Sequence, residues 1–308
     1  MKSPYVIAIT GPTASGKSAV ALSVSQKYCG EIINCDSVQV YRDFNIGCAK
    51  PTPDELSLVK HHLLDVVNWN ESFDAQHYRN LAIKAIADIN ARQGLAIICG
   101  GTGLYLRALR WGLLAAPPAQ EELRASLYQQ EEQNPGEIYK RLQSCDPKSA
   151  KQIGPKNIVH LLRALEITLL AGEPASQLRA QHGFAREEVP MMVIALTWPL
   201  PMLRTRIKDR VEVMLNAGLI TEVEGLLNKG VSVNSRPMRS VGYKEVSETL
   251  LGLAPLKGLS ERIVKATYTY ARRQLTWLRK EREVKWIEVQ SLDQANSVVM
   301  ALLSSYKS

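Results

Sequence analysis

No stretch of the 308-residue chain approaches the roughly 18 consecutive apolar residues that a membrane-spanning helix needs. The short apolar start, Tyr5 to Ile9, runs into Gly11-Pro12 without the apolar region of a signal peptide, so a protein that is neither exported nor membrane-spanning is expected. Cysteines are few, odd in number and scattered (Cys29, Cys35, Cys48, Cys99 and Cys145) with no C-x-x-C, which argues against a disulfide framework or a zinc knuckle. They read as small core residues in a reducing, cytoplasmic setting. The chain has no Asp-Asp pair, so an aspartate-rich Mg²⁺–pyrophosphate motif is absent. His61 and His62 are adjacent and diverge, so with Asp65 they make no credible metal site. What remains is ordinary globular composition, 45% apolar and 22% charged, which rules out wholesale disorder and repetitive fibres.

The net charge of +8 is unevenly distributed: residues 1–112 carry +2, residues 113–190 carry −1 and residues 191–308 carry +7. Within the last part, Arg262, Lys265, Arg272, Arg273, Arg279, Lys280, Arg282 and Lys285 interleave with Tyr268, Tyr270 and Trp277, opposed only by Glu281 and Glu283. Basic side chains neutralise phosphates and aromatic faces stack on unpaired bases, so this segment is a candidate nucleic-acid surface; a solvated helix face over core aromatics reads equally well.

Apolar, β-branched runs bounded by glycine and polar residues predict strands at Tyr5–Thr10, Glu31–Cys35, Leu95–Cys99, Met191–Thr197 and Val284–Val289. Helical spacing predicts helices over Ala19–Tyr28, Ala75–Asn90, Leu104–Leu109, Pro201–Ala217 and Leu259–Arg282. Between Pro117 and Val189 helix formers are broken by Asn134-Pro135-Gly136, Asp146-Pro147, Gly154-Pro155 and Gly172-Glu173-Pro174, with no convincing strand. The expected fold is α/β: a P-loop NTPase-like core with a parallel sheet flanked by helices (1–116 and 190–308), plus an all-helical insertion domain (117–189).

Gly11-Pro12-Thr13-Ala14-Ser15-Gly16-Lys17-Ser18 is a G-x-x-x-x-G-K-[ST] loop between the first strand and the first helix, the context that motif requires. Its glycines let backbone N–H groups approach phosphate oxygens, the helix N-terminus adds a positive dipole, Lys17 supplies a charge and Ser18 can reach Mg²⁺. The loop implies a polyphosphate ligand, not ATP in particular. Asp36, closing the second strand, faces the same crevice as general base or outer Mg²⁺ partner, or else caps its own turn. The strand Leu95–Cys99 ends in Gly100-Gly101-Thr102-Gly103 rather than an aspartate, which predicts either close approach to a ligand or a tight turn.

With Asp36-Ser37-Val38-Gln39-Val40-Tyr41, Ile46-Gly47-Cys48-Ala49-Lys50-Pro51, His61-His62-Leu63-Leu64-Asp65, Gly100-Gly101-Thr102-Gly103-Leu104-Tyr105, Arg163-Ala164-Leu165-Glu166, Val241-Gly242-Tyr243-Lys244 and Tyr270–Trp277, the chain resembles the tRNA dimethylallyltransferases over nearly its whole length. The resemblance implies transfer of a dimethylallyl group from its diphosphate, with Mg²⁺, to the 6-amino group of the adenosine just 3′ of the anticodon. It implies a pyrophosphate cradle at Thr13 to Ser18, a general base at Asp36, leaving-group stabilisation by Lys17 and Arg210, and catalytic help from Thr13. Contacts to the tRNA anticodon stem-loop would come from Asp36, Ser37, Val38, Gln39, Thr102, Arg124, Val159, His160, Arg163, Arg239, Gly242, Tyr243 and Lys244, in a protein expected to be monomeric. The chain departs from the family where Gly154-Pro155-Lys156-Asn157 is followed by His160, and where Tyr268 follows Thr267. The alternatives are an isopentenyltransferase or kinase acting on a free adenine nucleotide, and a non-catalytic RNA-binding protein.

The basic C-terminal part predicts an RNA affinity that falls steeply between about 50 and 200 mM salt. A flat response in a filter-binding titration would return the segment to a solvated helix face.

Overall fold

The structure, a computed structural model, describes residues 6–114, 116–183 and 186–305; Tyr5, the expected start of the first strand, lies outside them. The chain divides into two compact units, residues 1–110 with 188–308, and residues 111–187.

The first unit is built on six parallel strands: β1 (Val6–Thr10), β2 (Gly30–Asn34), β3 (His61–His62), β4 (Leu95–Cys99), β5 (Met192–Thr197) and β6 (Val284–Glu288). Their spatial order is β3-β2-β4-β1-β5-β6. β1, buried along its whole length, pairs with β4 on one side and β5 on the other. Such uninterrupted apolar runs are what a parallel sheet covered on both faces requires. Helices α1 (Lys17–Tyr28) and α3 (Ala75–Ala91) pack on the sheet, while α2 (Pro53–Leu58), which buries no residue, and α4 (Gly103–Trp111), whose last residue falls at the unit boundary, lie in the connections that follow β2 and β4.

Among its described residues the second unit carries five helices: α5 (Glu121–Gln133), α6 (Glu137–Cys145), α7 (Pro147–Ile153), α8 (Ile158–Ala171) and α9 (Ala175–His182). Its own core gathers Leu127, Ile138, Leu142, Leu161, Leu162 and Leu165. The chain then completes the first unit with α10 (Leu200–Asn216), α11 (Leu219–Asn228), α12 (Tyr243–Leu250), α13 (Leu259–Leu278) and α14 (Leu292–Ser304). Among the described residues, no helix is long and apolar enough to cross a membrane.

Three expectations need correction. β3 was not expected, because two histidines carry no apolar signature; it exists because β2 offers an unpaired edge on which Ile32 and Ile33 register with His61 and His62. The helix expected over Leu259–Arg282 ends at Leu278. Beyond it Glu281 turns inward to Arg107, the buried Arg110 donates to the Arg282 carbonyl and the Glu283 carboxylate, and Glu283 takes a left-handed φ of 52°. The two acids of the basic segment are therefore engaged by arginines of α4. Of the cysteines, Cys35 and Cys99 are core residues, whereas Cys29 is exposed at the C-terminus of α1.

The glycines after β4 are required by the packing of the protein itself, and Gly100 also lines the cavity that holds Lys17 and Ser18. A Cβ on Gly100 would overlap the Cys35 backbone, one on Gly101 the Gln274 amide, and one on Gly103 the Trp277 ring. Because the Cys35 backbone cannot move aside without disturbing β2, Gly100→Ala is expected to destabilise the fold by about 1–3 kcal/mol. Urea unfolding measures this, and an unchanged midpoint would show that β2 and β4 can separate freely.

Candidate active site

The C-terminal ends of β1, β2 and β4 lie side by side, so the loops that follow them share one sheet edge, where ligands of parallel α/β sheets gather. After β1 the loop Gly11–Gly16 closes on itself through the Ser15 N–H to the Pro12 carbonyl (3.2 Å), and Gly16 takes φ 88° before α1 starts. That left-handed value suits glycine and turns the first amides of α1 toward the crevice.

Three side chains fix this loop from behind. The Trp198 indole N–H donates to the Ser15 carbonyl (2.9 Å), and Arg206 Nε donates to the Ala14 carbonyl (2.8 Å) while its guanidinium lies 4.3 Å from the Trp198 ring centroid. Gln274 of α13 accepts the Thr13 N–H at Oε1 (2.8 Å) and donates from Nε2 to the Gly101 carbonyl (2.9 Å), strapping the loops after β1 and β4 together.

Lys17 opens α1, and its Nζ donates to the Pro12 carbonyl at 3.3 Å. Burial pulls its pKa below the usual ammonium value and the positive charge of Arg210 adds to the fall, against the opposing influence of Cys99, Asp36 and Cys35. Arg210, on α10, is likewise lowered by burial, with Asp36 and Cys48 opposing. Two partly desolvated cations therefore converge near one carboxylate, a setting that favours an added polyanion. Cys35 and Cys99 beneath them are pushed up by burial to about 12 and about 11, so they remain thiols at neutral pH and are not nucleophiles.

Asp36 follows β2, and its carboxylate does cap its own turn: Oδ1 accepts the N–H groups of Val38 (2.8 Å) and Gln39 (3.4 Å). Its backbone is fixed by Asn34 Oδ1 (3.0 Å), and the next N–H, of Ser37, donates to Thr102 Oγ1 (3.0 Å). Among the described residues no group donates to Oδ2, which is left available for a ligand proton.

Two cavities meet at this carboxylate. One, of about 370 Å³, is lined by Lys17, Ser18, Asn34, Lys50 and Gly100; the other, of about 260 Å³, by Ser37, Val38, Gly47, Arg239, Gly242 and Arg273. They share Thr13, Asp36, Cys48, Arg210 and Tyr270. One side holds the phosphate-binding elements and the other holds mixed apolar and polar groups suited to an organic partner.

The structure thus brings together Thr13, Lys17, Ser18, Asp36, Ser37, Val38, Arg210, Arg239 and Gly242. Gln39 turns its amide to the carbonyls of Cys48 (3.1 Å) and Ala49 (3.0 Å). Lys244 is exposed beside Glu248. Tyr243 is fully buried, donating its hydroxyl to Glu222 and packing edge-on against Phe44, so in this structure it packs the wall and presents no surface to RNA. In the helical unit, Val159 and His160 are exposed, while Arg124 and Arg163 both grip the buried Glu166. His62 pairs with Glu31 (2.6 Å) and Asp65 with Lys50 (2.6 Å), which accounts for those residues without a metal.

Trp198, Arg206 and the strap made by Gln274 were missed by sequence reasoning. The signal for Gln274 was present: it is a polar residue on the same buried stripe of α13 as Thr267, Ala271, Leu275 and Leu278.

A phosphate loop on a parallel sheet, with a carboxylate between two cavities, defines a P-loop-type enzyme that joins an organic acceptor to a phosphorylated donor. Residues 39–281 match the family model of the IPP transferases. The chain is 41% identical over 285 residues to a tRNA dimethylallyltransferase of Geotalea uraniireducens, covering 92% of each. Its structure resembles a tRNA isopentenylpyrophosphate transferase from Staphylococcus epidermidis at 33% identity and a TM-score of 0.71, covering 98% of this chain and 99% of that one. It also resembles a eukaryotic dimethylallyltransferase acting on tRNA at 28% identity and a TM-score of 0.77, covering 96% of this chain and 77% of that one. The chain belongs to the IPP transferase family.

Gln274→Ala would leave the Thr13 N–H and the Gly101 carbonyl without their partner, and is expected to weaken inorganic pyrophosphate binding about tenfold. Calorimetric titration checks it, and unaltered affinity would mean the loop holds its shape without the strap.

Proposed function

We infer that this chain is a tRNA dimethylallyltransferase, moving the dimethylallyl group of dimethylallyl diphosphate to the 6-amino group of the adenosine immediately 3′ of the anticodon and releasing diphosphate. The observation that carries the reading is the pair of cavities meeting at Asp36 and Arg210, with Lys17 and Ser18 lining one and Ser37 and Val38 lining the other. The larger cavity takes the diphosphate and the smaller one the base, so the donor's reactive carbon and the acceptor nitrogen come together at Oδ2 of Asp36.

The adenine amino group is a poor nucleophile because its lone pair is delocalised into the ring, so removing its proton as the bond forms is worth about 10²–10⁴ in rate. The nitrogen attacks the allylic carbon and the carbon–oxygen bond breaks with its electron pair going to diphosphate. The amino proton passes to Asp36 Oδ2. Negative charge grows on the leaving oxygen beside Lys17, Arg210 and the amides of Gly11–Ser18, already held in place by Trp198, Arg206 and Gln274. The Thr13 side chain stands where the two cavities join and is proposed to orient the diphosphate.

Mg²⁺ fits this arrangement. Ser18 is an exposed residue on the first turn of α1 that lines the cavity holding Lys17, and a hard ion carried by one hydroxyl, phosphate oxygens and waters needs no further carboxylate cage. When bound it would neutralise charge on the diphosphate.

The acceptor lies in an anticodon loop, where a base can be splayed from its stack for a few kcal/mol and enclosed. We propose that Ser37, Val38, Thr102, Arg239, Gly242 and Lys244 hold the RNA near that base. The helical insertion, residues 117–189, is proposed to add phosphate contacts through Arg124, Val159, His160 and Arg163. The fork of Arg124 and Arg163 on Glu166 suits that role, because both guanidinium groups stay partly exposed while their orientation is locked. A monomeric, cytoplasmic enzyme is proposed.

Asp36→Ala should lower the single-turnover transfer rate by on the order of 10² or more while tRNA affinity is largely kept; near-normal turnover would remove the base assignment. Lys17→Ala should raise the KM for the allylic diphosphate and slow its departure, and unchanged kinetics would remove Lys17 from the cradle.

A further inference from the structure

Glu222, on α11, lies outside every motif considered so far, yet it is one of the most heavily solicited acceptors in the first unit. Its carboxylate accepts three successive backbone N–H groups: those of Asn45 (3.2 Å), Ile46 (2.8 Å) and Gly47 (3.3 Å). The Tyr243 hydroxyl donates to it as well (2.6 Å). Consecutive amides that converge in this way form a small anion-binding concavity, and here the anion is the protein's own. Gly47 packs so closely on the Tyr243 ring that a Cβ there would overlap it.

These four donors come from two segments of the chain that each reach the smaller cavity. Gly47 and Cys48 line it from one segment, and Gly242, the residue before Tyr243, lines it from the other. The same loop reaches the reacting carboxylate: Gln39 donates its amide to the Cys48 and Ala49 carbonyls, and its backbone N–H donates to Asp36 Oδ1. An unbroken run of hydrogen bonds and backbone therefore links Glu222 to Asp36.

We propose that Glu222 is a positioning residue for the acceptor pocket: it gathers the Asn45–Gly47 amides and the Tyr243 hydroxyl onto one carboxylate, holding both segments and the Asp36 turn in the geometry that receives the nucleobase. The proposal rests on the reading of the smaller cavity as the acceptor site. The phosphate loop itself does not depend on Glu222, because it is fixed instead by Trp198, Arg206 and Gln274.

The test is steady-state transfer from dimethylallyl diphosphate to an anticodon stem-loop by the full chain. Glu222→Gln keeps the side chain's size but turns an NH₂ toward donors; it should raise the KM for RNA about tenfold and leave the KM for the diphosphate within about twofold. Tyr243→Phe removes one donor and should produce a smaller rise for RNA alone; it carries the test if Glu222→Gln does not fold. An unchanged KM for RNA, or equal losses for both substrates together with a lowered melting temperature, would overturn the proposal. Val38→Trp, which fills the smaller cavity, separates the two layers of the argument. If it leaves transfer intact, the acceptor reading falls and this proposal with it; if it abolishes transfer while Glu222→Gln behaves as the unaltered chain, only the role of Glu222 falls.

Discussion

Everything in the catalytic unit is arranged around two cations brought half out of water against a single carboxylate. Lys17 and Arg210 lose hydration where they stand, and Asp36 offsets only part of that loss. Such a site stays short of negative charge until a diphosphate arrives. The parallel sheet makes this possible by ending β1, β2 and β4 at one edge, so that Lys17 at the start of α1 and Asp36 after β2 line one cavity. On the proposed reading the excess positive charge would bind the donor before reaction and then stabilise the charge that develops as diphosphate leaves, so one electrostatic feature would serve both steps.

Beyond its internal turn from the Ser15 N–H to the Pro12 carbonyl, the loop after β1 is fixed from outside. Here its carbonyls are taken up by Trp198 and Arg206, and the Thr13 amide by Gln274. These partners come from late in the chain, after the helical unit, which explains why residues 188–308 are needed to complete a site that begins at residue 11. The acceptor side follows the same logic, with Gln39 and Glu222 fixing the loop that lines the smaller cavity. Preorganisation by hydrogen bonds from outside the reacting groups is the common device of both halves.

Much of this was legible in the sequence for a physical reason. A buried parallel strand demands an uninterrupted apolar run, so β1, β4 and β5 announced themselves, and the phosphate loop between β1 and α1 carried its own chemistry in its spacing. Asp36 was legible because it closes a strand at that edge. The two-residue β3 was not, since its existence depends on a free edge of β2 rather than on its own side chains. The glycines after β4 suggested close approach to a ligand or a tight turn, and the sequence could not show that Cys35, Gln274 and Trp277 pack against them. Tyr243 sits in a motif matched to RNA contact yet is buried against Phe44 and Glu222, a partnership between residues 21 apart in sequence that no local pattern reveals. The family resemblance supplied the substrate pair, which neither the loop nor the net charge of +8 could have specified.

The central claim is that the smaller cavity receives an adenosine presented by an RNA loop and not a free nucleotide. Transfer of labelled dimethylallyl group, with Mg²⁺, to unmodified tRNA, run beside AMP and ATP as acceptors, tests it most directly. The account predicts label in tRNA alone, on the adenosine 3′ of the anticodon. Label in free nucleotide with none in tRNA would contradict it, as would ATP turnover without any transfer.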